Sequence, residues 1–162
     1  MRTFALLLLI SPLFGADYDV LVRNARVIDG SGNPWFRADL AVKDGRIAAI
    51  GRLPAATATR TIDARERTLA PGFIDVHTHI EGGVEKNPRG DNFLLDGVTT
   101  VITGNCGGSE LNLAAWFEKL GRLGLGFNVG SLVGHNTVRR EVMGSVNRPA
   151  APDEIRQMQS LV

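Results

Sequence analysis

Alternating apolar and polar positions are clearest in residues 71–79, Pro-Gly-Phe-Ile-Asp-Val-His-Thr-His. This alternation predicts an extended strand, because successive side chains of a strand point to opposite faces. Ile74 and Val76 would share a buried face, and His77 and His79 would share the polar face. The two imidazoles would lie about 7 Å apart at the end of the strand, so both could coordinate one metal ion.

Two further apolar, β-branched runs follow, over residues 99–103 and 128–133. Each leads through a glycine to a residue capable of metal chemistry, Cys106 in the first case and His135 in the second. The separations from His79 to Cys106 and from Cys106 to His135 are each a little under about 30 residues, the length of one strand-helix-strand unit. Parallel strands in register would therefore carry all these residues to the same edge of a sheet.

Segment 111–123 has apolar residues at three- and four-residue steps, the pattern of an amphipathic helix. Its apolar stripe consists of Leu113, Trp116, Phe117 and Leu120. We therefore expect Trp116 and Phe117 to be core residues that pack on the sheet. A brief helix is predicted over residues 91–96, and a last helix opens at Pro152, since proline suits the first turn. The expected buried side of that last helix consists of Ile155, Met158 and Leu161.

Residues 17–69 have a different pattern, short apolar runs separated by turn residues. The runs lie at residues 20–22, 27–28, 40–42, 47–50 and 60–62. Asp44-Gly45 suits a tight hairpin, because both positions can take a positive φ. This part is predicted to be a small all-β domain without catalytic residues. The predicted organisation is a leader over 1–16, the β domain over 17–69 and an α/β domain over 70–162.

The leader is predicted to be a secretory signal peptide. Arg2 precedes an apolar stretch from Phe4 to Phe14, which is shorter than the roughly 20 residues that a membrane span needs. Cleavage after Ala16 would put bulky Phe14 where a small residue is preferred, so a buried first strand and an uncleaved anchor stay open as alternatives. A signal peptide predicts an exported protein, periplasmic or secreted, without stable membrane association after cleavage.

Composition narrows the classes of partner. The formal net charge is +1, with both signs interspersed, which predicts binding to neither nucleic acid nor an acidic membrane surface. The single cysteine has no partner for a disulfide within the chain, so Cys106 is either available for chemistry or simply buried. The expected partner is a small molecule, and the residues predict no particular oligomeric state.

Three segments together carry a family resemblance: Gly-Phe-Ile-Asp-Val-His-Thr-His at 72–79, Gly-Val-Thr-Thr-Val-Ile-Thr-Gly-Asn-Cys-Gly at 97–107, and Gly-His-Asn-Thr-Val-Arg at 134–139. They resemble the amidohydrolase superfamily and, within it, the N-acyl-D-amino-acid deacylases, also called D-aminoacylases. The histidine pair is shared by many amidohydrolases, whereas Gly-Asn-Cys-Gly is far more specific to the deacylases. The similarity extends from about Tyr18 to the last residue.

The resemblance implies an α/β fold, the start of a metal-dependent (β/α)8 barrel preceded by a small β-sandwich domain. A closed barrel needs about 250 residues, so the three strand-helix units present are expected to be the N-terminal part of a longer chain. The resemblance also implies one or two Zn²⁺ ions, held by His77, His79 and Cys106. Two further histidines and an aspartate, the general base, would come from strands beyond Val162. Ile80-Glu81 occupies the position where the family usually has an aspartate.

The implied reaction is hydrolysis of N-acyl-D-amino acids to a carboxylate and a free D-amino acid by metal-activated water. His135 and Arg139 are the candidate substrate-binding residues, since a guanidinium matches a carboxylate with two parallel bonds. Cys106 could instead be a nucleophile or an inert thiol, and His135 a structural hydrogen-bonding group. Arg139 and Arg140 could equally be surface charges. The alternative functions are a cyclic-amide hydrolase of the hydantoinase or dihydroorotase kind, and an inactive metal-binding fragment.

Overall fold

The computed structural model describes residues 16–162, and these residues form two compact units that divide between Pro71 and Gly72. The predicted signal segment, residues 1–16, lies outside the described residues except for Ala16, and it stays a prediction. Among the described residues, no helix combines the length and the apolar character needed to cross a membrane.

The first unit is a five-stranded β-sheet. Its strands are β1 (Tyr18–Val27), β2 (Phe36–Lys43), β3 (Arg46–Gly51), β4 (Ala58–Asp63) and β5 (Thr68–Leu69). They follow the order β3-β2-β1-β4, and β5 also pairs with β1. Strand β1 runs antiparallel to β2 and parallel to β4. The prediction that this part of the chain is all-β is confirmed.

The hairpin between β2 and β3 turns at Asp44 and Gly45, as predicted, with φ angles of 50° and 70°. Positive φ at both central residues gives a turn whose twist matches that of the flanking strands. The carboxylate of Asp19 accepts the backbone N–H of Asp44 at 2.6 Å, which fixes the turn to β1. The apolar core of this unit includes Leu21, Ala25, Val27, Ala38 and Ala41.

The second unit is a three-stranded parallel sheet with helices between and after its strands. The strands are β6 (Phe73–Asp75), β7 (Val98–Thr103) and β8 (Asn128–Ser131), and the helices are α1 (Asp91–Leu95), α2 (Leu113–Leu123), α3 (His135–Met143) and α4 (Pro152–Ser160). The strands lie in chain order, and both neighbouring pairs are parallel. This alternation of strand and helix is how a (β/α) barrel begins, so the predicted fold class is confirmed.

The core of the second unit lies between the central strand β7 and helix α2. Val101 of β7 is fully buried, and Trp116 and Leu120 of α2 are 6% and 3% exposed. The same cluster also contains Ile80, Val84 and Phe127. The prediction that Phe117 is a core residue is wrong, because this side chain lies at the edge of the helix stripe and is 37% exposed. Its ring instead contacts that of Trp116, with centroids 5.6 Å apart.

The strand predicted over residues 71–79 is shorter than expected. It ends at Asp75, whose carboxylate accepts the backbone N–H of His77 at 3.1 Å and thereby turns the chain. Ile74 and Val76 were predicted to be buried, but they are 62% and 66% exposed. β6 is an edge strand of its sheet, and no part of the described chain covers these two side chains.

Helix α4 begins at Pro152, as predicted, but its expected buried side is not buried. Ile155 is 44% exposed, Met158 is partly buried, and Leu161, one residue beyond the end of the helix, is 36% exposed, so none of the three is fully buried. The helix is instead fixed at its start by Glu154. This carboxylate accepts the backbone N–H of Ala151 and two bonds from the guanidinium of Arg148.

Candidate metal centre

The candidate centre lies where the neighbouring strands β6 and β7 end. β6 leads directly to His77 and His79, and β7 leads into a single 3-10 turn, Asn105–Gly107, that contains Cys106. The carboxyl ends of parallel strands meet at one edge of a sheet, so the strand order places both segments side by side. The sequence therefore brings the three potential ligands together through pairing of two strands 25 residues or so apart in the chain.

The three side chains converge. Nε2 of His77 lies 3.1 Å from Sγ of Cys106, and one ligand atom from each of His77, His79 and Cys106 lies within 4.8 Å of the other two. The two imidazole centroids are 5.5 Å apart, closer than the roughly 7 Å of a fully extended strand, because the chain turns at Asp75. All three residues are exposed, which leaves space for additional ligands and for a substrate.

The backbone of the turn aims the thiol at the histidines. Cys106 has a φ of 56°, and Gly104 and Gly107 on either side of the turn have φ angles of 81° and 83°. Only glycine adopts this left-handed region freely, so Cys106 is held there by its surroundings. A Cβ on Gly104 would meet the backbone of Leu132, and one on Gly107 would meet the side chain of Asn136.

Two asparagines of the family-like segments, for which the sequence predicts no role, hold this turn. The side-chain amide of Asn105 donates to the carbonyls of Val76 and Ile102 at 3.2 and 3.1 Å, which links the turn to the ends of both strands. The amide of Asn136, at the start of α3, donates to the carbonyl of Cys106 at 3.2 Å. The sequence signals for these contacts are weak: Asn105 directly precedes Cys106, and Asn136 directly follows His135.

His135 lies at the same edge of the sheet, as the first residue of α3, but it is not in the group of converging ligand atoms. It is exposed and lines a cavity of about 710 Å³ together with Arg139 and residues of α4. The guanidinium of Arg139 donates to the carbonyls of Val146 and Arg148 at 3.2 and 2.7 Å. These contacts favour a role in holding the loop after α3, and the substrate-binding roles of His135 and Arg139 stay predictions.

Imidazole and thiol groups at the carboxyl edge of a parallel α/β sheet define a candidate metalloenzyme of the barrel class, because barrel active sites lie at that edge. The sequence model described as the amidohydrolase family matches residues 60–157, more than half of the chain. The chain belongs to the amidohydrolase family.

The predicted resemblance to N-acyl-D-amino-acid deacylases is confirmed by individual relatives. An N-acyl-D-aspartate deacylase of Alcaligenes xylosoxydans xylosoxydans is 36% identical over 170 residues, which covers 91% of this chain and 34% of the relative. The crystal structure of N-acyl-D-glutamate deacylase from Bordetella bronchiseptica, complexed with zinc and a phosphonate mimic of the tetrahedral intermediate, matches with a TM-score of 0.80 and 35% identity over 89% of this chain and 35% of that one. The crystal structure of a D-aminoacylase matches with a TM-score of 0.74 and 36% identity, at the same two coverages of 89% and 35%. The chain therefore spans about a third of the length of these relatives.

Proposed function

We propose that the full-length protein is a zinc-dependent amide hydrolase that converts N-acyl-D-amino acids to a carboxylate and a free D-amino acid. The observation that carries this proposal is the convergence of His77, His79 and Cys106 at the carboxyl edge of the sheet, within 4.8 Å of one another. The likeness to deacylases of N-acyl-D-aspartate and N-acyl-D-glutamate supports the substrate class.

The donor set supports zinc as the metal, with one or two ions per site. Two imidazoles and a thiol are the ligand types that zinc prefers, whereas magnesium and calcium prefer carboxylate and carbonyl oxygens. Donors around one zinc ion lie about 2.0–2.3 Å from it, and the three side chains are close enough to share an ion after small adjustments. Zinc bound there would lower the pKa of a water molecule to about 7 and polarise the scissile carbonyl.

The protein's own residues hold these donors in place before any ligand binds. Thr78, between the two histidines, is buried, and both its backbone N–H and its hydroxyl donate to the carbonyl of Ile102 at 2.9 Å. The histidine pair is thereby fixed to the end of β7. A carboxylate must accept the proton of the attacking water and return it to the departing amine. The resemblance assigns this step to an aspartate beyond Val162.

The substrate class is tested with the full-length, zinc-loaded protein. We expect it to release acetate and free amino acid from N-acetyl-D-amino acids, with neutral and acidic side chains tested separately, and to act at least tenfold more slowly on the L-enantiomers. The measurement is chiral chromatography of the amino acid released. The same preparation is offered a hydantoin, because ring opening of a cyclic amide is the alternative reaction.

Cys106→Ala, matched in expression and folding, serves as the control and should lose both zinc and turnover. Ring opening of the hydantoin with no release from any N-acetyl-D-amino acid would replace the proposal with cyclic-amide hydrolysis. Full activity and full zinc content in Cys106→Ala would refute the proposed centre itself.

A further inference from the structure

Glu81 follows the histidine pair by two residues, and its carboxylate reaches the other strand end. Its Oε1 accepts the backbone N–H of Gly104 at 3.2 Å and lies 2.5 Å from the hydroxyl oxygen of Thr103. Glu81 is not among the side chains whose ligand atoms converge near Cys106. Glu81 therefore contacts residues at the end of β7, Thr103 and Gly104, and not the three potential metal ligands.

The hydroxyl of Thr103 has two possible acceptors, the carboxylate of Glu81 and a backbone carbonyl. Thr103 is fully buried, and its oxygen also lies 3.0 Å from the carbonyl of Thr78. A hydroxyl has only one proton to donate, and a carboxylate is a stronger acceptor than a backbone carbonyl. We therefore assign the donation to Glu81, which gives this carboxylate two donors from the end of β7.

The positions of the two donors, Gly104 and Thr103, show which segments the carboxylate of Glu81 links. Glu81 lies two residues after His79, and Gly104 lies two residues before Cys106. Gly104 begins the turn, with a φ of 81° and its backbone packed against that of Leu132. A bond from Glu81 to the N–H of Gly104 thus ties the loop of the histidines to the first residue of the turn that presents the thiol.

We infer that Glu81 is a positioning residue, whose carboxylate fixes the Cys106 thiol relative to His77 and His79. This inference rests on the proposed zinc centre and assigns a function to Glu81 within it. A group that hydrogen-bonds a metal ligand directly typically contributes about 10–100-fold to metal affinity. Glu81 acts one step further out, through the backbone of Gly104, so we expect an effect near the lower end of that range.

The same loop provides a matched control. Glu85 is also a glutamate of the segment between β6 and α1, but its carboxylate pairs with Lys119 of α2 at 2.6 Å, and both side chains are about half exposed. Removing it deletes a carboxylate and an ion pair from the loop without touching the turn of Cys106.

The test uses Co²⁺ bound to the full-length protein, because a cobalt-thiolate bond absorbs in the near ultraviolet and reports the sulfur ligand directly. We expect Glu81→Ala to weaken Co²⁺ binding by about tenfold and to reduce the thiolate band at saturating metal. Glu81→Gln keeps an oxygen that can accept from both donors, so it should restore most of the affinity and the band. Glu85→Ala should match the wild type.

Thr103→Val removes the other half of the contact while keeping the shape of the side chain, and it should lower the thiolate band in the same direction as Glu81→Ala. If Glu81→Ala and Thr103→Val both keep the affinity and the band of Glu85→Ala, the positioning role is overturned while the zinc centre stands. If the wild type itself shows no thiolate band, or Cys106→Ala retains it, the metal centre fails and this inference fails with it.

Discussion

Cys106 has a backbone conformation that few side chains adopt, with a φ of 56° between two glycines of still larger positive φ. The turn depends on those glycines, and Gly104 is the more constrained, since a Cβ there would meet the backbone carbonyl of Leu132. We expect Gly104→Ala to lower the free energy of unfolding by about 1–3 kcal/mol or more, from the left-handed φ and the clash together. Urea unfolding of the full-length protein measures this.

Gly108 is the matched control for this substitution. It has an extended conformation with a φ of −98° and open space around its Cα, so Gly108→Ala should change the free energy of unfolding by less than about 0.5 kcal/mol. Equal effects at the two positions would mean that the backbone of the turn is not constrained as described.

Some residues of the candidate site could be predicted from the sequence, and others could not. His77, His79 and Cys106 were identifiable because residue type and distance from an apolar run both point to the end of a strand. The contacts of Asn136 and Glu81 were not, because folding alone brings their partners close: the carbonyl of Cys106 for Asn136, and the N–H of Gly104 and the hydroxyl of Thr103 for Glu81. Spacing along the chain contains no information on such contacts until the strand register is known.

At the scale of elements, the start of α4 depends on one carboxylate. Arg148, through two bonds of 2.7 and 2.6 Å, and the N–H of Ala151 lower the pKa of Glu154 from 4.5 to about 2. Because the folded-state pKa is below the ordinary one, the stabilisation is fully present above about pH 4.5 and is lost as the pH falls through about 2. We expect Glu154→Gln to melt at a lower temperature than the wild type at pH 7.

The difference in melting temperature between the wild type and Glu154→Gln should shrink steadily as the pH falls from 4.5 towards 2. Glu118→Gln is the control, since it breaks an ion pair with Arg122 in which both side chains are more than two-thirds exposed, and such pairs contribute little. A melting difference for Glu154→Gln that is the same at pH 2 as at pH 7 would contradict the assigned ion pair.

Helices and strands were predictable from the sequence where hydrophobic periodicity and turn residues determine them locally. The three parallel strands, the helix α2 and the Asp44-Gly45 hairpin all follow from periodicity and turn chemistry. The exposed faces of β6 and α4 were not predictable, because burial depends on which element covers a face. The early end of β6 was missed for a related reason, since the side chain of Asp75 captures a backbone N–H that an extended strand would leave free.

At the scale of the whole molecule, one topological fact connects the sequence to the proposed chemistry. Parallel pairing of β6 with β7 places a histidine pair and a cysteine, 27 residues apart from His79 to Cys106, at one edge of a sheet. The chain spans about a third of its deacylase relatives, so the full-length protein is the proper object for a test of the centre.

Zinc K-edge X-ray absorption of the purified full-length protein tests that centre most directly. We predict a first coordination shell with a sulfur scatterer at about 2.3 Å and nitrogen or oxygen scatterers at about 2.0–2.1 Å, and we predict that the sulfur scatterer is absent from Cys106→Ala. A wild-type shell of nitrogen and oxygen alone, or a sulfur scatterer that persists in Cys106→Ala, would rule out Cys106 as a zinc ligand.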